Sequence, residues 1–397
     1  MTGIDPVIVF GIVLALALNF LNGLADAAQG VATVVATRAL SPVKAVFLTG
    51  VCNMAGPFIF TTAVAATIGT AIVNPDAMTP QTIIIAMLAS TALVFCATRV
   101  GLPLSSSHAL IGGLIGASVA AFGLSAVIYP AVSVIADTFV WGLIGAVVGA
   151  IIVGGIAAAL DGDIRLAILI GAICGAGLAV PILMVLGVLK ITGLFAVVLF
   201  IFISPVLGAT TAFLFDVLIS HLFKNSRQNR MKRIFSPLQI VACLFQATSH
   251  GANDGMHAVG VITALLVSAG LLSTFAVPTW VLLLSAIAIG LGTCFGGWKV
   301  VDRMAKGITK IRPYQGFCAG TAGSSTLALV TMQGIPVSSN HVISGAIVGV
   351  GVTRGKNAVQ WKVVREMMTA WVVTIPLAAA CAWAGYMLFM LAGTLLL

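Results

Sequence analysis

One polar stretch in the second half of the chain reads His250-Gly251-Ala252-Asn253-Asp254-Gly255-Met256-His257. It interrupts an apolar run from about 237 to 270 that is long enough to cross a bilayer. A weaker copy near the start of the chain reads Asn22-Gly23-Leu24-Ala25-Asp26-Ala27-Ala28-Gln29. Because a carboxylate inside a membrane segment is costly, each aspartate marks a candidate functional site. The neighbouring glycines predict that the backbone unwinds there and approaches a ligand.

The composition is that of a membrane protein. The 397 residues are 60% hydrophobic and only 7% charged, and the mean hydropathy is +1.18. Soluble domains carry about 25% charged residues, so a water-soluble globular domain is excluded. Apolar runs of membrane-spanning length recur from end to end, which predicts an all-α polytopic membrane protein in a lipid bilayer.

The net charge of +9 does not indicate a nucleic-acid partner. The 19 Lys and Arg fall in a few short loops, as expected of cytoplasmic loops under the positive-inside rule. The most basic loop, 224–233, is therefore predicted to be cytoplasmic, with both termini on the outer side of the cell membrane. The seven cysteines are scattered singly and form no C-x-x-C pair, so they indicate neither a metal site nor a disulfide framework.

Hydropathy predicts about 12 hydrophobic segments. They cover about 6–24, 45–73, 81–98, 104–122, 136–160, 166–189, 192–221, 237–265, 279–298, 316–333, 337–353 and 366–394. Short links that contain Gly and Pro join two pairs of segments into broken-helix hairpins, 81–122 and 316–353. Each hairpin either spans the bilayer or re-enters from one side.

The two hairpins carry matching sequences. Gly-Leu-Pro-Leu-Ser-Ser-Ser-His over 101–108 matches Gly-Ile-Pro-Val-Ser-Ser-Asn-His over 334–341. The dipeptide Ser90-Thr91 likewise pairs with Ser325-Thr326. The chain is therefore predicted to contain an internal repeat.

Loop charges give the relative orientation of the two repeats. The loop after the aspartate-bearing span is basic in the first half and chargeless in the second, and the next loops show the opposite pattern. Under the positive-inside rule the halves insert upside down relative to each other, which is typical of secondary transporters. We expect inverted-topology repeats over 1–160 and 237–397, joined by linking spans and the basic loop over 161–236.

The paired Pro-x-Ser-Ser-(Ser/Asn)-His motifs predict an oxyanion site. Proline suits the first turn of a helix, so the polar residues fall where backbone N–H groups are unpaired and the helix dipole is positive. Such a helix start binds an oxyanion without a buried arginine. The alternative is that the serines only cap their helices. The candidate anion-binding residues are Ser105, Ser106, Ser107, Ser338, Ser339, Asn340, Thr91 and Thr326.

The two polar stretches supply candidate cation ligands. A carboxylate with amide oxygens beside it suits a small hard cation, so Asp26 and Asp254 are candidate Na⁺ ligands. The same carboxylates could instead carry protons, or be paired for structural reasons. The candidate cation-coupling residues are Asp26, Asn22, Gln29, Asp254, Asn253 and His257. No cofactor is expected besides the coupling ion.

The histidines have open roles at this stage. His108 and His341 follow the serine motifs and are expected to orient those loops by hydrogen bonding rather than to bind metal. His250 and His257 bracket Asp254, so a role in proton relay is possible.

At these residues the chain resembles the inorganic phosphate transporter (PiT) family, whose signatures read N-G-x-x-D-A-A-N and G-A-N-D-V-A-N-A. The similarity extends to 32–42, to both serine motifs and to 349–354. It implies a homodimeric, cation-coupled carrier of inorganic phosphate, and not an enzyme, that works by alternating access. It also implies that Asp26 and Asp254 lie near the cations and the serine motifs near the anion. Related members move sulfate, so a sulfate permease is the first alternative.

The sequence departs from the family pattern at several cation positions. Gln29 and His257 stand where the family usually has Asn, and Gly255-Met256 replaces Val-Ala. Ala25 stands where many members have His, and Gly320 where Glu is common. These changes alter cation ligands in both halves, so coupling to Na⁺ and to H⁺ both stay open. A passive anion channel is a more distant alternative, because such a pore gains nothing from paired carboxylates.

Overall fold

The structure is a computed structural model, which describes residues 5–100, 104–159, 163–296, 309 and 311–395. This part of the chain folds into α-helices joined by short turns. The helices are α1 (Pro6–Ala36), α2 (Pro42–Ile59), α3 (Ala63–Thr70), α4 (Pro80–Val100), α5 (Ser106–Phe122), α6 (Val132–Ala159), α7 (Ile164–Val185), α8 (Gly193–Leu222), α9 (Gln228–Ser268), α10 (Thr279–Phe295), α11 (Pro313–Met332), α12 (Ser339–Val352) and α13 (Trp361–Leu395).

The helix lengths are those of a membrane protein. Seven helices, α1, α2, α4, α6, α7, α8 and α13, are long and apolar enough to cross a bilayer. The predicted all-α polytopic membrane fold is thereby confirmed, while the count of 12 segments stays a prediction. Helices α5 and α12 have 17 and 14 residues. At about 1.5 Å per residue both are shorter than the roughly 30 Å hydrocarbon core.

The prediction of one span over 45–73 is wrong. The structure divides this segment into α2 and α3, with a break at 60–62. Pro57 lies in the last turn of α2, where it cannot donate a helix hydrogen bond. Phe60 then adopts an extended backbone (φ −107°, ψ 177°), so the helix ends there.

The expected unwinding at the two polar stretches does not occur. Helices α1 and α9 run without a break through 22–29 and 250–257. The glycines instead allow neighbouring backbones to approach closely. A Cβ atom at Gly251 would lie 2.0 Å from the carbonyl oxygen of Asn53 in α2, and one at Gly23 would lie 2.1 Å from that of Ile289 in α10. Each aspartate-bearing helix therefore packs tightly on a helix of the other half of the chain.

The α4–α5 hairpin has both ends at one face of the molecule. The segment before α4 pairs with the segment after α5 through a bridge between Val73 and Val127. Helix α8 begins at this face, because a Cβ atom at Gly193 would lie 2.4 Å from the carbonyl oxygen of Ala71. It continues for 30 residues, about 45 Å, and so ends at the opposite face.

The α11–α12 hairpin has both ends at that opposite face. The Thr309 hydroxyl, before α11, donates to the carbonyl oxygen of Ala358 after α12 (2.7 Å). The two hairpins therefore enter the fold from opposite faces. Their tips meet inside it, where Nδ2 of Asn340 lies 3.4 Å from the carbonyl oxygen of Leu104.

Candidate functional site

Each hairpin tip is the start of a short buried helix. Ser105 and Ser338 are the N-cap residues of α5 and α12, as the serine motifs predict. The Ser105 hydroxyl accepts a hydrogen bond from the backbone N–H of His108 (3.2 Å), whereas Ser338 makes no such side-chain cap. Two helix N-termini, each with a positive dipole end, thus lie at the centre of the protein. Residues 101–103, which contain the first Gly-x-Pro, lie outside the described residues.

The two signature aspartates come together beside one histidine. Asp26 on α1 and Asp254 on α9 are 5% and 1% exposed. Nε2 of His250 lies 3.2 Å from Oδ2 of Asp254 and 3.6 Å from Oδ2 of Asp26. Ligand atoms of all three residues lie within 4.8 Å of one another. Two carboxylates and an imidazole at this spacing can hold a small cation or a proton.

An asparagine on α2, Asn53, fixes the orientation of His250. Asn53 on α2 donates from Nδ2 to the Thr293 hydroxyl (2.7 Å), which leaves its Oδ1 to face Nδ1 of His250 at 3.0 Å. The network therefore assigns the hydrogen on Nδ1 of His250. In the neutral ring Nε2 then presents a lone pair to two carboxylates, so a proton or a metal cation is needed between them.

Hydrogen bonds connect the hairpin tips directly to the polar stretches. Asn340 on α12 donates from Nδ2 to Oδ1 of Asp26 at 2.8 Å. The hydroxyl of Ser339 donates to Oδ2 of Asp254 at 3.2 Å. The hydroxyl of Ser106 on α5 donates to Oδ1 of Asn22 at 2.5 Å. Both serine motifs, which carry the predicted anion site, are thus hydrogen-bonded to residues of the predicted cation site.

Several buried polar atoms of this centre lack a hydrogen-bond partner among the described residues. They include Oγ of Ser107, Oδ1 of Asn340 and Oδ1 of Asp254. Buried polar groups in folded proteins are nearly always paired, so unpaired atoms at both hairpin tips and on a signature aspartate favour a bound ion or polar ligand.

Three other predicted residues are Asn253, Thr326 and Thr91. Asn253 donates to the Thr331 hydroxyl (2.9 Å) and to the carbonyl of Ile335 (3.1 Å), so its amide nitrogen holds the second hairpin turn instead of the centre. The Thr326 hydroxyl lies 3.3 Å from that of Thr211 on α8, and Thr91 has a buried hydroxyl on α4.

The two other predicted cation residues are His257 and Gln29. His257 is buried on α9 and lines a small cavity with Asn22 and Ser106. The side chain of Gln29 lies outside the described residues.

The two motif histidines touch each other. The rings of His108 and His341 meet edge to face with centroids 4.9 Å apart. The His341 ring also lies against Trp371 of α13, at 4.1 Å between centroids. These ring contacts join the first turns of α5 and α12, one from each half of the chain.

Sequence reasoning did not foresee two features of the centre. It gave His250 a possible relay role but did not place it between both aspartates. It did not name Asn53 at all, although an amide inside an apolar span carries the same signal as the aspartates. The first feature depends on the packing of α1 against α9, and the second on the packing of α2 against α9. No local pattern reveals either contact.

Together the fold and the site define the class of protein. A polytopic helical protein with two helix starts and two carboxylates meeting at its buried centre is a membrane transporter. The chain belongs to the phosphate transporter family, whose model matches residues 22–162 and 166–382. As members of this family are transporters, the protein is not an enzyme, as the sequence resemblance implied.

The similarity to related proteins covers nearly the whole chain. A probable low-affinity inorganic phosphate transporter of Rhizobium meliloti is 37% identical over 94% of both chains. One of the same description from Bacillus subtilis is 31% identical over 94% of this chain and 95% of that relative. A solved structure described as the sodium-dependent phosphate transporter superposes with a TM-score of 0.69 over 97% of this chain and 99% of that one. Its identity is 24%, so this likeness concerns the fold alone.

Proposed function

We propose that this protein is a secondary active transporter that takes up inorganic phosphate across the cell membrane together with Na⁺ or H⁺. One observation carries the proposal: Ser339 and Asn340, at the tip of the second hairpin, are hydrogen-bonded to the two buried carboxylates. A cation that binds the carboxylates changes the charge facing the tips, and an anion bound at the tips changes the charge facing the carboxylates. Binding of the two ions is therefore coupled through direct contacts.

The hairpin tips are suited to a tetrahedral oxyanion. The unpaired N–H groups of the first turns of α5 and α12 supply donors, and the dipoles of both helices favour negative charge. Hydroxyl groups of Ser107 and Ser338 add donors that do not bring a buried positive charge. Phosphate fits this donor set, and the family membership favours it over sulfate. A sulfate permease of the same fold is the alternative.

The cation site supports either coupling ion. A proton on Nε2 of His250 would pair with both carboxylates, which lie 3.2 and 3.6 Å away. A Na⁺ ion would instead use carboxylate oxygens from Asp26 and Asp254 as ligands. In both cases the positive charge compensates carboxylates that have neutral hydrogen-bond donors but would otherwise be buried without a compensating charge.

The arrangement of the hairpins supports alternating access. The α4–α5 and α11–α12 hairpins enter from opposite faces and meet at their tips. This arrangement supports the predicted inverted-topology repeats, 1–160 and 237–397, with 161–236 between them. Rocking of one repeat against the other would expose the shared centre to each face in turn.

Loop charges support one orientation in the membrane. The basic loop 224–233 lies at the face where α8 ends and α9 begins, so this face is cytoplasmic under the positive-inside rule. Both termini are then external. The sequence resemblance also favours a homodimer, and the broad apolar surface of α6 is available for such a contact.

Uptake into proteoliposomes tests the proposed function. The purified chain is reconstituted, a Na⁺ gradient or a pH gradient is imposed separately, and labelled phosphate and labelled sulfate are followed. Accumulation of phosphate above equilibrium with one gradient confirms the proposal and names the coupling ion. Accumulation of sulfate with phosphate excluded supports the alternative substrate. Movement only down the anion's own gradient contradicts coupled transport and indicates a passive anion channel.

A further inference from the structure

A basic pocket opens at the face of the molecule where α8 ends and α9 begins, away from the central site. It consists of two adjoining spaces of about 640 and 1300 Å³ that share Ser220, Lys224 and Tyr314. The end of α1 forms another part of its wall, through Ala36 and Thr37. Asp26 precedes Ala36 by ten residues on the same helix, a rise of about 15 Å, so this pocket is separate from the centre.

The walls of the pocket are strongly cationic. Lys224, Lys232, Arg312 and Arg354 line it, and His221 adds a fifth basic side chain. No Asp or Glu is among the described residues that line either space. The carboxylate of Asp216 lies buried behind the wall, where it accepts a hydrogen bond from the Thr353 hydroxyl at 2.6 Å and attracts the charge of Arg354. The remaining cations, Lys224, Lys232 and Arg312, repel each other unless an anion lies between them.

Two helix starts add positive potential to the same opening. Helices α9 and α11 both begin at the pocket, with Gln228 and Asn229 in the first turn of one and Pro313 and Tyr314 in that of the other. Neither first turn contains an acidic residue, although carboxylates are favoured at such positions. The positive-inside rule accounts for basic loops on this face. It does not require two helix starts and four long cationic side chains to share one opening.

The pocket also carries neutral donors. Hydroxyl groups of Ser220, Ser226 and Tyr314 lie on its walls among the basic side chains. Phosphate groups are bound in proteins by this combination of cationic side chains, hydroxyls and helix N-termini. A pocket that only had its positive charge screened by chloride would not need hydroxyl donors as well.

We propose that this pocket is a second anion site, which binds a phosphate group at the face of the protein that carries the basic loop 224–233. The phosphate group belongs either to free inorganic phosphate or to the headgroup of a phosphomonoester lipid such as phosphatidate. Occupancy of the pocket does not depend on which anion crosses the membrane. The inference therefore goes beyond the proposed function and can fail independently of it.

Affinity labelling tests the site directly. Pyridoxal 5′-phosphate carries a phosphate group for the pocket and an aldehyde that forms an imine with a nearby lysine, which borohydride then fixes. The full-length protein in phosphatidylcholine nanodiscs is labelled at constant ionic strength, and modified lysines are located by mass spectrometry. We expect labelling of Lys224 or Lys232 to exceed that of Lys362, which lies at the start of α13 outside the pocket. Millimolar phosphate should reduce it several-fold relative to the same ionic strength of chloride.

The two sources of the phosphate group are separated by the lipid. Protection by inorganic phosphate assigns the site to the free ion, and protection only in nanodiscs that contain phosphatidate assigns it to a lipid headgroup. Absence of preferential labelling, or of protection by either compound, overturns the proposal.

A matched pair of variants completes the test. Arg312→Gln removes a cation from the pocket but leaves both target lysines, so it should weaken protection by phosphate several-fold. Arg365→Gln removes an equal charge from α13, which does not line this pocket, and should leave protection unchanged. Equal protection in both variants overturns the proposal. Uptake by Arg312→Gln is measured in parallel, and we expect it to persist, which separates this site from the central one.

Discussion

Asn340 donates a hydrogen bond from Nδ2 to Oδ1 of Asp26 at 2.8 Å, although 314 residues separate the two in sequence. The donor stands at the tip of the second hairpin, and the acceptor belongs to the first half of the chain. The equivalent position in the first hairpin is Ser107, whose shorter side chain has no partner among the described residues. The asymmetry between serine and asparagine thus gives one hairpin a direct contact with the carboxylate of the other half.

Shortening Asn340 should weaken the link between cation and anion. In Asn340→Ser a hydroxyl remains for the anion, but the side chain no longer reaches Asp26. A hydrogen bond to a charged group contributes about 1.5–3 kcal/mol, so we expect roughly a 10- to 100-fold loss in the dependence of phosphate affinity on the coupling cation. The measurement is the apparent phosphate affinity at low and saturating concentrations of that cation. Asn74→Ser changes an exposed amide that donates to the carbonyl oxygen of Ser125, at the face where α4 begins, and serves as the control. An unchanged cation dependence in Asn340→Ser would show that coupling does not pass through this bond.

The two aspartates should both be required for coupled uptake. Asp26→Asn and Asp254→Asn keep the shape of the side chain but remove the charge that compensates the cation. Loss of one member of a buried pair costs about 3–5 kcal/mol, which predicts a decrease in gradient-driven phosphate uptake of about 100-fold or more. Asp137→Asn, an exposed carboxylate on α6, is the matched control. Size-exclusion profiles establish that the variants fold, and normal uptake by either site variant would refute the cation assignment.

Asn53 should act as a positioning residue for His250. In Asn53→Leu the Oδ1 acceptor is lost, so the imidazole no longer has its hydrogen fixed on Nδ1. One neutral hydrogen bond contributes about 0.5–1.5 kcal/mol, so we expect uptake at a fixed gradient to fall roughly 2- to 10-fold. Asn53→Gln keeps a neutral amide oxygen that can face His250 and should lose less activity than Asn53→Leu. Equal losses in the two variants would mean that Asn53 only fills space between α2 and α9.

The sequence predicted the class of fold and identified candidate residues of the centre because both depend on local signals. A carboxylate such as Asp254 in an apolar run is a local anomaly, and a serine motif after Gly-x-Pro is a local helix start. The contact between Asp26 and Asn340 is not predictable in this way, since it depends on how two hairpins from opposite faces meet. The bond between His250 and Asn53 likewise requires α2 to lie against α9.

The glycines show why residue type alone misled the backbone prediction. Gly251 permits both an unwound backbone and a close helix contact, and its sequence neighbours do not distinguish the two. The neighbouring helix α2 determines which of the two occurs, because the backbone of Asn53 occupies the space where a side chain at position 251 would lie. The same partner also orients His250, so tight packing and the geometry of the cation site have a common origin.

Gly251→Ala tests this connection between packing and function. The added Cβ atom would lie 2.0 Å from the carbonyl oxygen of Asn53, a backbone atom that cannot rotate away, so α2 must shift. Overpacking of this kind costs about 1–3 kcal/mol, which predicts a lower melting temperature in detergent and reduced coupled uptake as Asn53 moves from His250. Gly142→Ala on α6 meets nothing within 4 Å and should be neutral or stabilising, because alanine favours helix. If both variants melt alike, α2 and α9 are not in close contact in the membrane, and the unwound backbone predicted from the glycines becomes the better description.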